Sequence, residues 1–362
     1  FAVDQRYTKY HILKVEMNFL TLLLFPFAII YDAVTRFRNY LYNIGYKRSF
    51  EFDIKVISVG NLSVGGTGKS PMVEYLIRLL KSDFNTVSLS RGYGRKTKGF
   101  RLATQEDTAN TLGDEPYQFY QKFKDISVAV GEERAVAIPF ILAEKPETDL
   151  ILLDDAYQHR PVKPNISILL TSFHNPFYND FLLPAGRLRE ARKGAMRAEA
   201  VVITKCPKNL EISDFTRIES NVRKYTNAPV YFSTIDYGKL TPVYNQESVP
   251  TLNVILFSGL ASSDLFSTYV KSQYNVLEEK VFGDHHHYIE KDIENLIALG
   301  ERHKNRNMCF ITTEKDMVKL LSPDLAELFS KYPVFYIPIE TRFLKGGKEF
   351  DSMVLETLKP LN

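Results

Sequence analysis

Residues 60–70 read GNLSVGGTGKS, a glycine-rich run closed by Lys69 and Ser70. A run of this kind between a strand and a helix can wrap phosphate groups. Backbone N–H groups and the helix N-terminus face the anion, the lysine reaches the β- and γ-phosphates, and the hydroxyl ligates Mg²⁺. The general pattern G-x-x-x-x-G-K-[ST] is met at Gly68, Lys69 and Ser70, while Ser63 stands where its opening glycine belongs. Gly65 and Gly66 make up part of that loss, because they let backbone approach a ligand closely. Ser63, Val64, Gly65, Gly66, Thr67, Gly68, Lys69 and Ser70 are thus candidate nucleotide-binding residues, with a plain glycine-rich turn as the alternative. A second cluster follows the apolar run Leu150–Leu153, which ends in Asp154 and Asp155. A parallel strand ending in aspartate places carboxylates at the ligand-binding edge of a sheet, where they can handle Mg²⁺; a turn cap is the alternative. A guanine-reading switch is disfavoured. Thr204-Lys205-Cys206-Pro207 puts proline where the base-reading carboxylate belongs, and Tyr157 replaces the glycine of D-x-x-G.

Four further groups could carry chemistry, with a structural or surface role as the alternative for each and a solvated polar loop for the last: Ser90–Arg95 (SRGYGR), Gly113–Pro116 (GDEP), Leu182–Glu190 (LLPAGRLRE) and Gly283–Tyr288 (GDHHHY). GDEP sets two carboxylates at a helix start, and Gln158 and His159 follow the aspartate pair. A neutral histidine beside Asp284 can assist a base near neutral pH. Three adjacent histidines in an extended segment cannot all meet one ion, and Cys206 and Cys309 show no metal spacing.

The elements needed to position these groups are legible as an α/β alternation. Lys55–Val59 predicts a strand, and Val73, Leu76, Ile77 and Leu80 repeat at helical spacing behind the loop. Further strands are expected at 86–89, 127–130, 150–153, 166–170 and 201–203, with a helix at 133–142. This pattern predicts a parallel sheet with helices on both faces. A smaller α/β region follows, with strands at 254–257 and 308–312, each turning into a helix. Residues 229–235 (PVYFSTI) and 333–339 (PVFYIPI) bracket it and read as a two-stranded linker. The domains expected are 1–225, completed by 342–362, and 226–341. On these bounds GDEP falls in the first domain and GDHHHY in the second.

The chain has 362 residues and a net charge of +3, which supports two globular domains and excludes a nucleic-acid coat. Its two cysteines cannot form a disulfide framework. The run Phe19–Ile30 (FLTLLLFPFAII) is too short for a spanning helix and lacks a cleavage site after it. Beyond Pro26, Ile30, Ala33, Val34, Phe37 and Leu41 share a helical face, and Arg36, Arg38, Lys47 and Arg48 lie close by. A helix over about 15–45 either lies in anionic lipid headgroups or packs on the protein's own core.

Taken in chain order, VGNLSVGGTGKSP, LSRGYGR, GDEP, LLDDAYQH, LPAGRLRE with AVVITK, FSGLA, FGDHHHY and TTEKD resemble the tetraacyldisaccharide 4′-kinase family, the lipid A 4′-kinases. The resemblance implies a P-loop NTPase-like domain and a smaller α/β domain, both α/β/α and joined by a two-stranded linker. It implies transfer of the γ-phosphoryl of ATP to the 4′-hydroxyl of a tetraacyl glucosamine disaccharide 1-phosphate, forming lipid IVA, with ATP and Mg²⁺ as cofactors. It implies peripheral attachment, through the N-terminal helix, to the anionic cytoplasmic face of a Gram-negative inner membrane, with no nucleic-acid partner; no obligate protein partner is evident. By the resemblance, Asp114 is the base toward the acceptor hydroxyl, His285 supports it, and Lys69 completes the catalytic set; with Asp114 in the first expected domain and His285 in the second, the competent site is expected to form on domain closure. Ser70, Glu115, Asp154 and Asp155 become the metal neighbours. Arg91, Gln158, His159, Arg189 and Glu190 become substrate contacts. Arg187 stands where the family often has proline, and Tyr157 where it has a leucine-like residue. A soluble small-molecule kinase and a nucleotide-dependent membrane scaffold are the competing readings.

Overall fold

The computed structural model describes residues 19–244, 247–260 and 264–359. Residues 15–18 of the expected N-terminal helix and Ala261 of FSGLA lie outside the described residues. In chain order the first elements are α1 (Phe19–Asn43), β1 (Lys55–Asn61), α2 (Lys69–Leu80), β2 (Thr86–Ser90), β3 (Arg101–Leu102), α3 (Ala109–Leu112), α4 (Asp114–Lys122), β4 (Ser127–Val130), α5 (Arg134–Glu144), β5 (Leu150–Asp154), β6 (Ile166–Ser172) and β7 (Ala200–Thr204). There follow α6 (Ile212–Arg223), β8 (Val230–Tyr237), β9 (Thr241–Pro242), β10 (Asn253–Ser258), α7 (Asp264–Gln273), β11 (Asn275–Val281), α8 (Glu290–Arg302), β12 (Met308–Thr313), α9 (Glu314–Leu320), α10 (Pro323–Phe329), β13 (Val334–Ile337), β14 (Ile339–Lys345) and α11 (Gly347–Leu358).

The chain divides into two compact units. One holds the described residues up to Thr86, Lys145–Ile235 and those from Thr341; the other holds Val87–Glu144 and Asp236–Glu340. These units cut the chain differently from the sequence boundaries, because residues 87–144 group with 236–340.

In the first unit the strand order is β14-β8-β7-β6-β1-β5. β1 lies between β5 and β6, parallel to both, and β6, β7 and β8 continue in parallel. Parallel strands covered on both faces need continuous apolar runs. β5 and β7 meet that need, with every residue buried. Val73, Leu76, Ile77 and Leu80 of α2 are all fully buried, as their spacing requires. Each such side chain contributes about 1.5–3 kcal/mol of burial. Register sets Val59 beside Asp154, so the strand entering the glycine loop runs next to the acidic strand end.

In the second unit β2 and β4 are parallel, with β3 antiparallel on β4. A separate five-stranded sheet runs β11-β10-β12-β13-β9. The segment expected as one linker strand at 333–339 divides. β13 pairs with β12 inside the five-stranded sheet, while β14 neighbours β8. Helix α1 lies within the expected span of about 15–45 and runs through Pro26.

Candidate active site

The first unit builds, at the carboxyl end of β1, a glycine-rich loop of the kind that can cradle phosphate. Gly65 (φ 102°) and Gly68 (φ 81°) have left-handed backbone, which glycine adopts without steric cost. Gly68 caps α2, so Lys69 and Ser70 open that helix, the end that favours anions. The outer side of the loop is tied down. Asn61 Nδ2 donates to Thr67 Oγ1 (2.7 Å), Thr204 Oγ1 donates to Thr67 O (2.8 Å), and Lys205 Nζ donates to Gly66 O (2.7 Å). Burial, with the Lys69 charge second, pushes the Lys205 ammonium below its usual pKa.

Lys69 Nζ stands 3.7 Å from Asp155 Oδ2, and Arg189 Nη1 donates to Asp155 Oδ1 at 2.9 Å. Three of the residues expected from sequence therefore form one chain of alternating charge. Glu190 is buried and central to a second network. Its Oε1 accepts from Gln158 Nε2 (3.0 Å) and Arg197 Nη2 (2.7 Å), and its Oε2 accepts from Asn39 Nδ2 (3.0 Å). Gln158 also donates to Asn61 O, while His159 lies half-buried in the same turn. Arg187 is held by buried Asp180 (2.9 Å), a structural partner.

The second unit carries the other carboxylate. Asp114 is the first residue of α4 and is buried. Its Oδ2 lies 3.5 Å from His285 Nδ1 and 3.4 Å from Lys319 Nζ. Burial alone raises the Asp114 carboxyl, but the His285 hydrogen bond and the Lys319 and Lys315 charges outweigh it and hold the group below its ordinary value. His285 has φ 54°, which costs of order 1–3 kcal/mol in a non-glycine residue and is seen where a fold fixes a side chain for function. The ring of exposed Tyr93, from SRGYGR, lies 5.3 Å from that of His285. Gly113 (φ 95°) lets the two motifs meet, since a Cβ there would stand 2.9 Å from Tyr93 O. Glu115 is engaged by Lys315 at 3.1 Å, and Arg91 is exposed. A cavity of about 370 Å³ beside Asp114 is lined by Lys96, Asn110, Tyr117, Tyr288 and Lys319 among others.

The sequence bounds put Asp114 and His285 in different domains, whereas the structure groups both in one compact unit, in which Tyr117 packs with Met317 and Val318 and the pairs Lys122–Glu314 (2.6 Å), Lys315–Glu115 and Lys319–Asp114 tie α4 to α9.

The sequence profile described as Tetraacyldisaccharide-1-P 4'-kinase matches residues 20–359. This chain belongs to the tetraacyldisaccharide 4′-kinase family. It is 44% identical over 345 residues to the Tetraacyldisaccharide 4'-kinase of Flavobacterium psychrophilum, spanning 94% of this chain and 97% of that protein. Identity to the Bacteroides thetaiotaomicron protein of the same name is 41%, over 90% of each chain. A crystal structure of LpxK from Aquifex aeolicus in complex with ATP is similar, with TM-score 0.73 and 29% identity over 94% of this chain and 100% of that one. Within this family fold, Lys315, Lys319, Arg197, Asn39 and Tyr93 touch the candidate residues without having been singled out in the sequence. Two of them carried a signal: Tyr93 lies within SRGYGR and Lys315 within TTEKD, and Lys319 lies four residues on from Lys315 and shares its helical face.

Proposed function

We propose that the chain transfers the γ-phosphoryl group of ATP to the 4′-hydroxyl of a tetraacyl glucosamine disaccharide 1-phosphate, forming lipid IVA and ADP. The reading is supported above all by Asp114, a buried carboxylate kept ionised against His285, in a kinase-family chain that also carries the Lys69 cradle. Phosphoryl transfer needs positioning and charge neutralisation more than covalent help. Loop amides and Lys69 hold the β- and γ-phosphates. Asp114 takes the proton of the 4′-hydroxyl as its oxygen bonds the γ-phosphorus, the bond to the β,γ-bridging oxygen breaks, and ADP leaves. His285 steadies the carboxylate.

Ser70, Asp154 and Asp155 are oxygen donors at adjacent ends of α2 and β5, a set that suits Mg²⁺. Among the described residues no group of three or more His, Cys, Asp or Glu converges as a metal centre, so phosphate oxygens and water would complete such a shell. Bound there, Mg²⁺ would neutralise phosphate charge. Glu115, expected in the same set, is engaged by Lys315. Arg189, Gln158, His159 and Arg91 are assigned to the acceptor or its phosphate, with Glu190 holding Gln158 in place.

Attachment to the cytoplasmic face of an inner membrane is proposed for α1. No helix of the described residues is long and apolar enough to cross a membrane. Ile30, Val34 and Phe37 are 63%, 61% and 64% exposed, whereas Tyr31 and Asn39 on another side bond Arg189 and Glu190. The apolar face is thus not the one turned to the protein.

A decisive variant is Lys69→Ala, assayed with ATP, Mg²⁺ and the lipid acceptor in mixed micelles. Loss of turnover and of nucleotide binding is the expected result. Full turnover would overturn the assignment of the cradle. A native chain that neither transfers nor hydrolyses the nucleotide, with nucleotide binding weakened by Lys69→Ala, would favour the scaffold reading.

A further inference from the structure

We propose that Lys315 and Lys319 are positioning residues for the Asp114–His285 pair, Lys319 fixing the carboxylate and Lys315 fixing which ring nitrogen of His285 carries the proton. The inference rests on the reading of Asp114 as the base and goes beyond it in assigning what holds that base in a working arrangement.

Both lysines lie on α9, four residues apart and on one face. The helix start is rigid: Asp316 N donates to Thr313 Oγ1 (3.1 Å), and Thr313 Oγ1 donates to Asp316 Oδ2 (2.7 Å). Gly259 N also donates to Asp316 Oδ2, at 2.9 Å. Asp316 is fully buried, and its other oxygen, Oδ1, lies 3.4 Å from Lys319 Nζ. The Lys319 side chain is only 4% exposed. A buried ammonium is costly unless carboxylates compensate it, and here Asp316 and Asp114 do so, each 3.4 Å away. Lys319 therefore joins a fixed anchor to the Asp114 Oδ2 atom and limits the rotation of that carboxylate.

Lys315 Nζ lies 3.2 Å from His285 Nε2, 3.1 Å from Glu115 Oε1 and 3.8 Å from Asp284 Oδ1. An ammonium has three donors and no acceptor. Nε2 must then accept, so the neutral ring carries its proton on Nδ1. That is the nitrogen 3.5 Å from Asp114 Oδ2. The ring thus donates toward the carboxylate instead of presenting a lone pair to it. The charged groups around the pair are Lys315, Lys319 and Asp316 from α9, Glu115 from α4, and Asp284 from the loop of His285. Both lysines act through Asp114 and His285.

The test uses the full chain with ATP, Mg²⁺ and the lipid disaccharide in mixed micelles. Lys315→Met and Lys319→Met should each lower kcat by about 10–100-fold, as for groups that orient a reacting side chain, with the KM values of ATP and acceptor unchanged. Lys319→Arg should recover part of the loss. In an Asp114→Asn background neither lysine change should lower kcat further. Multiplicative losses in that background, or a rise in the KM of ATP, would overturn the proposal while leaving Asp114 as the base. A near-normal rate for Asp114→Asn alone would instead remove the reading of Asp114 itself. Should Lys319→Met fail to fold, Lys315→Met decides through a second readout. In protein labelled with ¹⁵N-histidine, the neutral His285 ring should be protonated at Nδ1 in the native chain and lose that preference in the variant. A ring protonated at Nε2 in the native chain would refute the assignment.

Discussion

Asp155 and His285 share a feature that residue type alone does not disclose: both have left-handed backbone, at φ 46° and 54°, and both place a charged or titratable group against a partner of the candidate site. Their geometry is held by neighbours. Lys69 and Arg189 hold Asp155; Asp114 and Lys315 hold His285. Asp114→Ala and His285→Ala should each cut kcat by roughly 10²–10⁴, the range for positioned acid–base groups, and the double variant should fall little further. Steady-state kinetics on the three proteins checks this, and near-native rates in both single variants would contradict it. Much of this layer was legible, because a lysine-closed glycine loop, a strand ending in two aspartates and GDEP each have a chemical reason to be where they are. What was not legible is which charges meet. Glu190 and Arg189 are neighbours in sequence, yet one is buried on Arg197 and Asn39 while the other reaches Asp155. That division depends on the turn after Pro184, which periodicity does not encode.

Among the elements, β1 and α2 carry the cradle, and Gly60 shows how closely the acidic strand end packs on them. A Cβ at Gly60 would lie 2.7 Å from Tyr157 Cβ and 2.8 Å from its backbone N, in the turn that follows Asp155. Gly60→Ala is expected to displace that turn, cost about 1–3 kcal/mol of stability and lower turnover at least tenfold. Thermal melting and kinetics read both effects. An unchanged melting temperature with native turnover would show that the turn yields freely. The strands around β1 were readable since each is an apolar run between turn signals, as the full burial of β5 and β7 requires. β11 (NVLEEKV) escaped notice, because three of its seven residues are charged and it sits at the end of its sheet, where water reaches one face. The grouping of α4 with α9 was also hidden: Tyr117 packs with Met317 and Val318, and three ion pairs join the helices, which lie almost two hundred residues apart.

Over the molecule as a whole, the apolar face of α1 and the cradle belong to the same compact unit, and Tyr31 and Asn39 bond α1 to the segment of Arg189 and Glu190. Val34→Glu combined with Phe37→Glu should release the protein from vesicles containing phosphatidylglycerol, as sedimentation would record, because both side chains are exposed and the change places anions against an anionic surface. Retention on the vesicles would assign attachment to another surface. The division into units was the least legible property, since it follows contacts between segments far apart in sequence rather than any change in composition along the chain. The account finally depends on where the phosphoryl group goes. The purified chain should be given γ-labelled ATP, Mg²⁺ and the tetraacyl disaccharide 1-phosphate, and the lipid product examined by ³¹P–¹H correlation. A new phosphate monoester coupled to the proton at the 4′ carbon, formed in step with ADP, is the expected result; ATP consumed with the label released as free phosphate and no ester at that carbon would contradict it.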